Sequence, residues 1–120
     1  MIQVKNPSVL RELLVERYHP ILVELMLWIE HRYNKIVLTS GYREDDPGVH
    51  GTIPCRGMDI RSWGLLKKDN SRIDPISLCN DVNEHWQYDP DRPEMVCCKR
   101  HNTGQGWHIH NQVSKNTTMR

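Results

Sequence analysis

Between Gly41 and Gly57 the chain reads GYREDDPGVHGTIPCRG, a span with four glycines and two prolines. No regular helix runs through such a stretch, because proline removes a backbone donor and glycine raises the entropic cost of ordering. The span follows a mostly helical N-terminal part and precedes a remainder that reads as strands and one helix. It also holds one histidine, His50, and one cysteine, Cys55, in a long polar turn.

Before the break, Val9, Leu10, Leu13, Leu14, Ile21, Leu22, Leu25, Met26 and Ile29 recur at helical spacing over residues 8–34. Ser8 is a candidate cap, and Pro20 suits the first turn of a second helix, so two helices joined near His19 are expected. His19 and His31 read as surface or packing residues. Lys35–Ser40 is a β-branched run ended by Gly41 and reads as a strand. A second strand is expected at Gly57–Arg61. Asp74-Pro75 predicts a helix start, with Asp as cap, and a helix over Pro75–Trp86 whose Ile76, Leu78, Cys79, Val82 and Trp86 face inward. Glu94–Lys99 and Trp107–Val113 read as strands joined by HNTGQG, and 114–120 as a frayed tail.

This order predicts an α+β fold, with N-terminal helices packed on a small antiparallel sheet. A length of 120 residues suits a single domain. With 38% hydrophobic residues and no Phe, its core must rest on aliphatic side chains, Met and Trp. Lys and Arg number 16 against 15 Asp and Glu, a net charge of +1 that gives no reason to expect nucleic-acid or membrane binding. The N-terminal residues lack the apolar core of a signal peptide, so a cytosolic chain with reduced thiols at Cys55, Cys79, Cys97 and Cys98 is expected. Cys97-Cys98 is vicinal rather than CxxC, which disfavours a zinc ribbon or finger.

The chemistry-bearing residues lie after the break. In Trp107-His108-Ile109-His110-Asn111-Gln112-Val113, strand alternation puts His108, His110 and Gln112 on one face and Ile109 and Val113 on the core side. Two imidazoles at i and i+2 can share one small volume. Asp59, between Met58 and Ile60, faces away from the core with Gly57 and Arg61, and a carboxylate there needs a partner. Arg56 or Arg61 would make it structural. His50 and a last-strand histidine would make a His/Asp/His set, three ligands with a position left open, as in catalytic zinc sites.

TSGYR (39–43), then His50, then RGMDIR (56–61), then GWHIHNQV (106–113) resemble the zinc metallopeptidases that cut peptidoglycan stem peptides. These are the D-alanyl-D-alanine carboxypeptidases and dipeptidases, the murein endopeptidases and the lysostaphin-like enzymes, which share a fold with the hedgehog signalling domain. The resemblance spans roughly residues 37–113. It implies a zinc ion (Zn2+) held by His50, Asp59 and His110, with His108 assisting a zinc-bound water and Arg43 contacting substrate or developing oxyanion. Tyr42 and Gln112 would line the site. The implied reaction is amide hydrolysis in peptidoglycan peptides by a monomer that neither enters a membrane nor binds nucleic acid. Without an export signal, such an enzyme fits a phage-encoded protein released at lysis.

Two departures from the family pattern stand out. The interval from His50 to Asp59 is long, with Pro54-Cys55 resembling an insertion. No acid stands three residues before His110, where Trp107 is found. His108 then serves alone, or Glu44, Asp45 or Glu94 folds in, or His101 substitutes, or the chain is an inactive zinc-binding or phage structural module. Cys55 reads as a packed thiol, with a fourth ligand or a redox switch as alternatives.

Overall fold

The protein, described here by a computed structural model, is placed over residues 1–102, 104 and 106–120. Among the described residues three α-helices each begin at a proline, α1 at Pro7–Leu14, α2 at Pro20–Arg32 and α3 at Pro75–His85. The missing N–H of proline costs nothing at a first helical position. Asn6 caps α1 by accepting from Val9 N at 3.1 Å, so Ser8, the expected cap, lies one residue inside the helix. His19 Nδ1 caps α2 by accepting from Ile21 N at 3.2 Å, and Asp74 caps α3 by accepting from Ser77 N at 2.9 Å. Both breaks fall where the sequence puts them.

The strands are β1 Ile2–Val4, β2 Tyr33–Ser40, β3 Gly57–Arg61, β4 Leu66–Lys67, β5 Trp86–Gln87, β6 Cys98–Asn102, β7 Trp107–Gln112 and β8 Thr118–Met119. The main sheet runs β1-β2-β3-β7-β6, with β4 on β2. It is mixed rather than wholly antiparallel, because β1 pairs parallel to β2. The strand expected at Glu94–Lys99 is shifted to Cys98–Asn102. Val96 is exposed in the preceding turn, and pairing with β7 begins only at Cys98 opposite Asn111. Of the expected hairpin loop, Thr103 and Gln105 lie outside the described residues.

One sheet face is covered by α2 and α3. Leu22, Leu25 and Ile29 from α2 and Leu78 and Val82 from α3 join Ile36, Ile60 and Ile109 in one buried cluster. Each such side chain contributes about 1.5–3 kcal/mol on burial. Ile76, expected inward, is 55% exposed, because α3 turns Leu78, Cys79 and Val82 to the sheet instead. The 114–120 segment is not a frayed end. Ser114 Oγ and Thr117 Oγ1 both donate to Tyr88 O, at 2.8 and 2.7 Å, and β8 pairs with β5. All four cysteines are free and buried, with Cys79 and Cys98 Sγ 3.3 Å apart. Among the described residues, no helix is long and apolar enough to cross a membrane.

Candidate metal centre

The sheet register assembles the site. In the β3–β7 pair, Asp59 stands opposite His110, Arg61 opposite His108 and Gly57 opposite Gln112. On the other side of β7, β6 sets His101 opposite His108 and Lys99 opposite His110. Alternation therefore turns Asp59, His101, His108, His110 and Gln112 to the face away from the helical core.

His50 arrives from the glycine-rich turn, in a short 3-10 segment at Val49–Gly51. Close approach explains two of its glycines. A Cβ on Gly51 would sit 1.9 Å from Asp46 O, and one on Gly57 would sit 2.5 Å from a Val49 methyl. Arg43 N donates to His50 O at 2.8 Å and Arg56 N to Val49 O at 3.2 Å, stitching the turn closed. The extra length around Pro54-Cys55 reaches back to the α1–α2 connection. There Cys55 N donates to Arg17 O at 2.8 Å and His19 N to Cys55 O at 2.9 Å. The Cys55 thiol donates to Gly57 O at 3.3 Å, and burial pushes it up. It is a packed, inert thiol outside the ligand group.

His50, Asp59 and His110 are each at most 5% exposed, and their ligand atoms lie within 4.8 Å of one another. Asp59 Oδ1 is 3.2 Å from His50 Nε2 and 2.8 Å from His110 Nδ1. The far side of each ring fixes its tautomer. His50 Nδ1–H donates to Gly41 O at 2.8 Å, which leaves Nε2 a lone pair. His110 Nε2–H donates to Gln112 Oε1 at 3.1 Å. That amide cannot be turned over, because Gln112 Nε2 donates to Val96 O at 2.8 Å. His110 Nδ1 is therefore a lone pair too.

The two facing imidazole nitrogens and a carboxylate oxygen thus converge on one volume, which a proton or a metal cation can bridge. Two ligand atoms on a tetrahedral ion at about 2.0–2.1 Å would lie about 3.3 Å apart, close to the spacing found. Burial alone would raise the Asp59 carboxyl, but positive charge held between it and the His110 and His50 rings, a proton or a cation, outweighs burial and holds it well below the usual carboxylate range. The group is ionised, buried and preorganised, and it can hold a metal ion. Backbone carbonyl and side-chain amide partners behind each imidazole are the usual outer support of such sites.

The group opens on a cleft of about 800 Å3 that also takes in Arg43, His101, His108 and Trp107. His108 Nε2 is 3.4 Å from Asp59 Oδ2, and Arg43 sits 3.4 Å from Asp46 with its guanidinium half-exposed. Of the five residues named from the sequence, Arg43, His50, Asp59 and His108 line the cleft, and His110 meets Asp59 beside it. Burial, then the neighbouring His108 and His110, push His101 down to about 4, so its ring is neutral at ordinary pH. Glu44, Asp45 and Glu94 are exposed, and none lines the cleft. Among the described residues, the acid on its wall besides Asp59 is Glu12 of α1. Glu12 Oε1 accepts from Gly41 N at 3.0 Å and Ser40 Oγ at 3.3 Å, so it holds the residue whose carbonyl, in the next peptide, orients His50. Tyr42 faces a separate, smaller cavity beside α1. Gln112 is more than a lining residue, since it sets the His110 tautomer. No family model, curated protein or solved structure matches this chain.

Proposed function

We propose that this chain is a zinc-dependent peptidase that hydrolyses amide bonds in peptidoglycan stem peptides or cross-links, with a hedgehog-like metallopeptidase fold. The carrying observation is the His50–Asp59–His110 group, whose lone pairs are all turned to one point at the floor of an open cleft. Mixed nitrogen and carboxylate ligands without thiolates suit zinc in a catalytic rather than a structural role. Zinc held there supplies Lewis acidity and a water acidified to near neutral pH.

The chain's own groups then divide the remaining work. His108, on the cleft side of Asp59, has an imidazole placed to move a proton between water and leaving amine. No acid is needed three residues before His110 if His108 does this. Arg43 presents a fixed guanidinium to a peptide carboxylate or to the oxygen that gains charge. Trp107, exposed at the rim with Arg100 over its ring at 4.0 Å, offers a flat wall for the substrate.

Purified protein should carry one tightly held zinc, lost on alanine substitution at His50, Asp59 or His110, and should release cleaved peptide from stem-peptide fragments. A zinc-free protein whose fold and metal content ignore those substitutions overturns the site. The depth of the three ligands favours one second reading, a non-enzymatic zinc-stabilised binding or phage structural module. Tight zinc with no cleavage of any stem peptide would select it.

A further inference from the structure

Asp59 uses only one carboxylate oxygen in the buried group. The other, Oδ2, lies 3.4 Å from His108 Nε2. His108 Nδ1 lies 3.4 Å from Gly106 O, an acceptor for its proton when Nε2 is given to a metal. His101 stands directly across the β6–β7 ladder, its ring 4.3 Å from that of His108 in an edge-on arrangement. Among the described residues the His101 ring has no hydrogen-bond partner. The ligand atoms of Asp59, His101 and His108 lie within 4.8 Å of one another, and all three residues line the cleft. The separation of about 3.3 Å expected for two ligands on one tetrahedral ion is again approached.

We propose that Asp59 Oδ2, His101 and His108 form a second divalent-metal site, so that the Asp59 carboxylate can bridge two ions. Paired ions in hydrolases stand about 3.5–4 Å apart, a separation one carboxylate spans. The two sites are unequal. The buried group has its ligands preorganised, whereas the outer one must add a second dication beside the first with only one shared negative charge. Coulomb repulsion between two doubly charged ions about 4 Å apart, even in a water-like dielectric, weakens the second by on the order of a thousandfold. Arg61, opposite His108 in register and lining the same cleft with its guanidinium over the Trp63 ring at 4.2 Å, adds to this repulsion.

Filling the outer site takes the His108 lone pair out of proton transfer. This consequence rests on the peptidase reading, and the metal binding does not. Excess metal would then inhibit, with a midpoint equal to the weaker dissociation constant.

The test is zinc titration of metal-free protein by calorimetry, with the bound metal counted by elemental analysis. Two classes should appear in the wild type, separated by on the order of a thousandfold. His101→Gln, at a partly exposed position on an edge strand, should lose the weaker class and keep the tight one. His50→Ala should weaken the tight class, which separates failure of the buried site from failure of this one. A single class in the wild type, or two classes that survive His101→Gln, overturns the proposal. Stem-peptide cleavage gives a further readout: inhibition by excess zinc that persists unchanged in His101→Gln would also overturn it.

Discussion

Gln112 is the sharpest test of how the site works, because it touches no substrate and holds no metal. Its amide is clamped at both ends, donating to Val96 O at 2.8 Å and accepting from His110 Nε2 at 3.1 Å. Replacing it with Met keeps much of the volume and removes both bonds. His110 is then free to place its proton on Nδ1, where it would donate to Asp59 Oδ1 at 2.8 Å. A buried bond to a charged acceptor contributes about 1.5–3 kcal/mol, all of it to the metal-free state, because metal must displace that proton. Loss of an outer-shell partner of this kind typically weakens metal affinity about 10–100-fold, or about 1.4–2.7 kcal/mol, in agreement with that figure. Competition against a chromophoric chelator would measure the change, and nitrogen chemical shifts of the His110 ring would report the tautomer. In the metal-free wild type the proton should sit on Nε2, and in Gln112→Met on Nδ1. A variant that has switched tautomer yet binds zinc within about threefold of wild type would refute the reasoning. So would a wild-type ring already protonated at Nδ1.

Other positions give independent readings. Glu12→Gln keeps an acceptor for Gly41 N but lowers its strength, so zinc affinity should fall severalfold while Glu12→Ala falls further; equal affinities would remove α1 from the support of His50. Gly51→Ala places a carbon 1.9 Å from a backbone oxygen, so the turn must open, and chelator competition should show a loss of zinc affinity larger than that of Gly48→Ala, whose nearest neighbour is 3.2 Å away. Asp81 joins Arg32 Nε at 2.6 Å and also accepts from Tyr33 OH, tying α3 to the end of α2. Burial alone would raise its carboxyl, but those bonds hold it below the usual range. Its stabilisation is thus complete above the unfolded carboxylate value of about 3.9 and is lost as pH falls through the lower folded one. Asp81→Asn should cost about 1–2 kcal/mol near pH 7 in denaturant unfolding, with the gap to wild type closing in strong acid.

Much of this fold is legible in the chain because its punctuation is local. Pro7, Pro20 and Pro75 stand at helix starts, and the Gly41–Gly57 span is indeed non-helical apart from one 3-10 turn. What escaped depends on distant partners. β1 has only three residues and exists because Tyr33–Ser40 offers it a parallel edge, a pairing no local pattern announces. The tail is polar and short, which reads as frayed, yet Ser114 and Thr117 find the Tyr88 carbonyl. Ile76 is apolar but sits at the second helical position, off the buried stripe.

The site divides in the same way. Ligand types at strand spacing are visible in sequence because alternation fixes which side chains share a face, and Asp59, His108 and His110 follow from that rule alone. The residues that decide tautomers do not follow from it. Gln112 shares the ligands' face, so the pattern could place it at the site, but only the Val96 carbonyl shows which way its amide points. Glu12 lies 28 residues before Ser40 and on another element, and nothing in the local sequence sets it apart from Glu16, two residues past the helix end. A metal group is thus readable from the spacing of its ligands. Whether its imidazoles are offered as lone pairs or as protons is settled by acceptors the spacing does not contain, and that difference separates a group that attracts a cation from one that repels it.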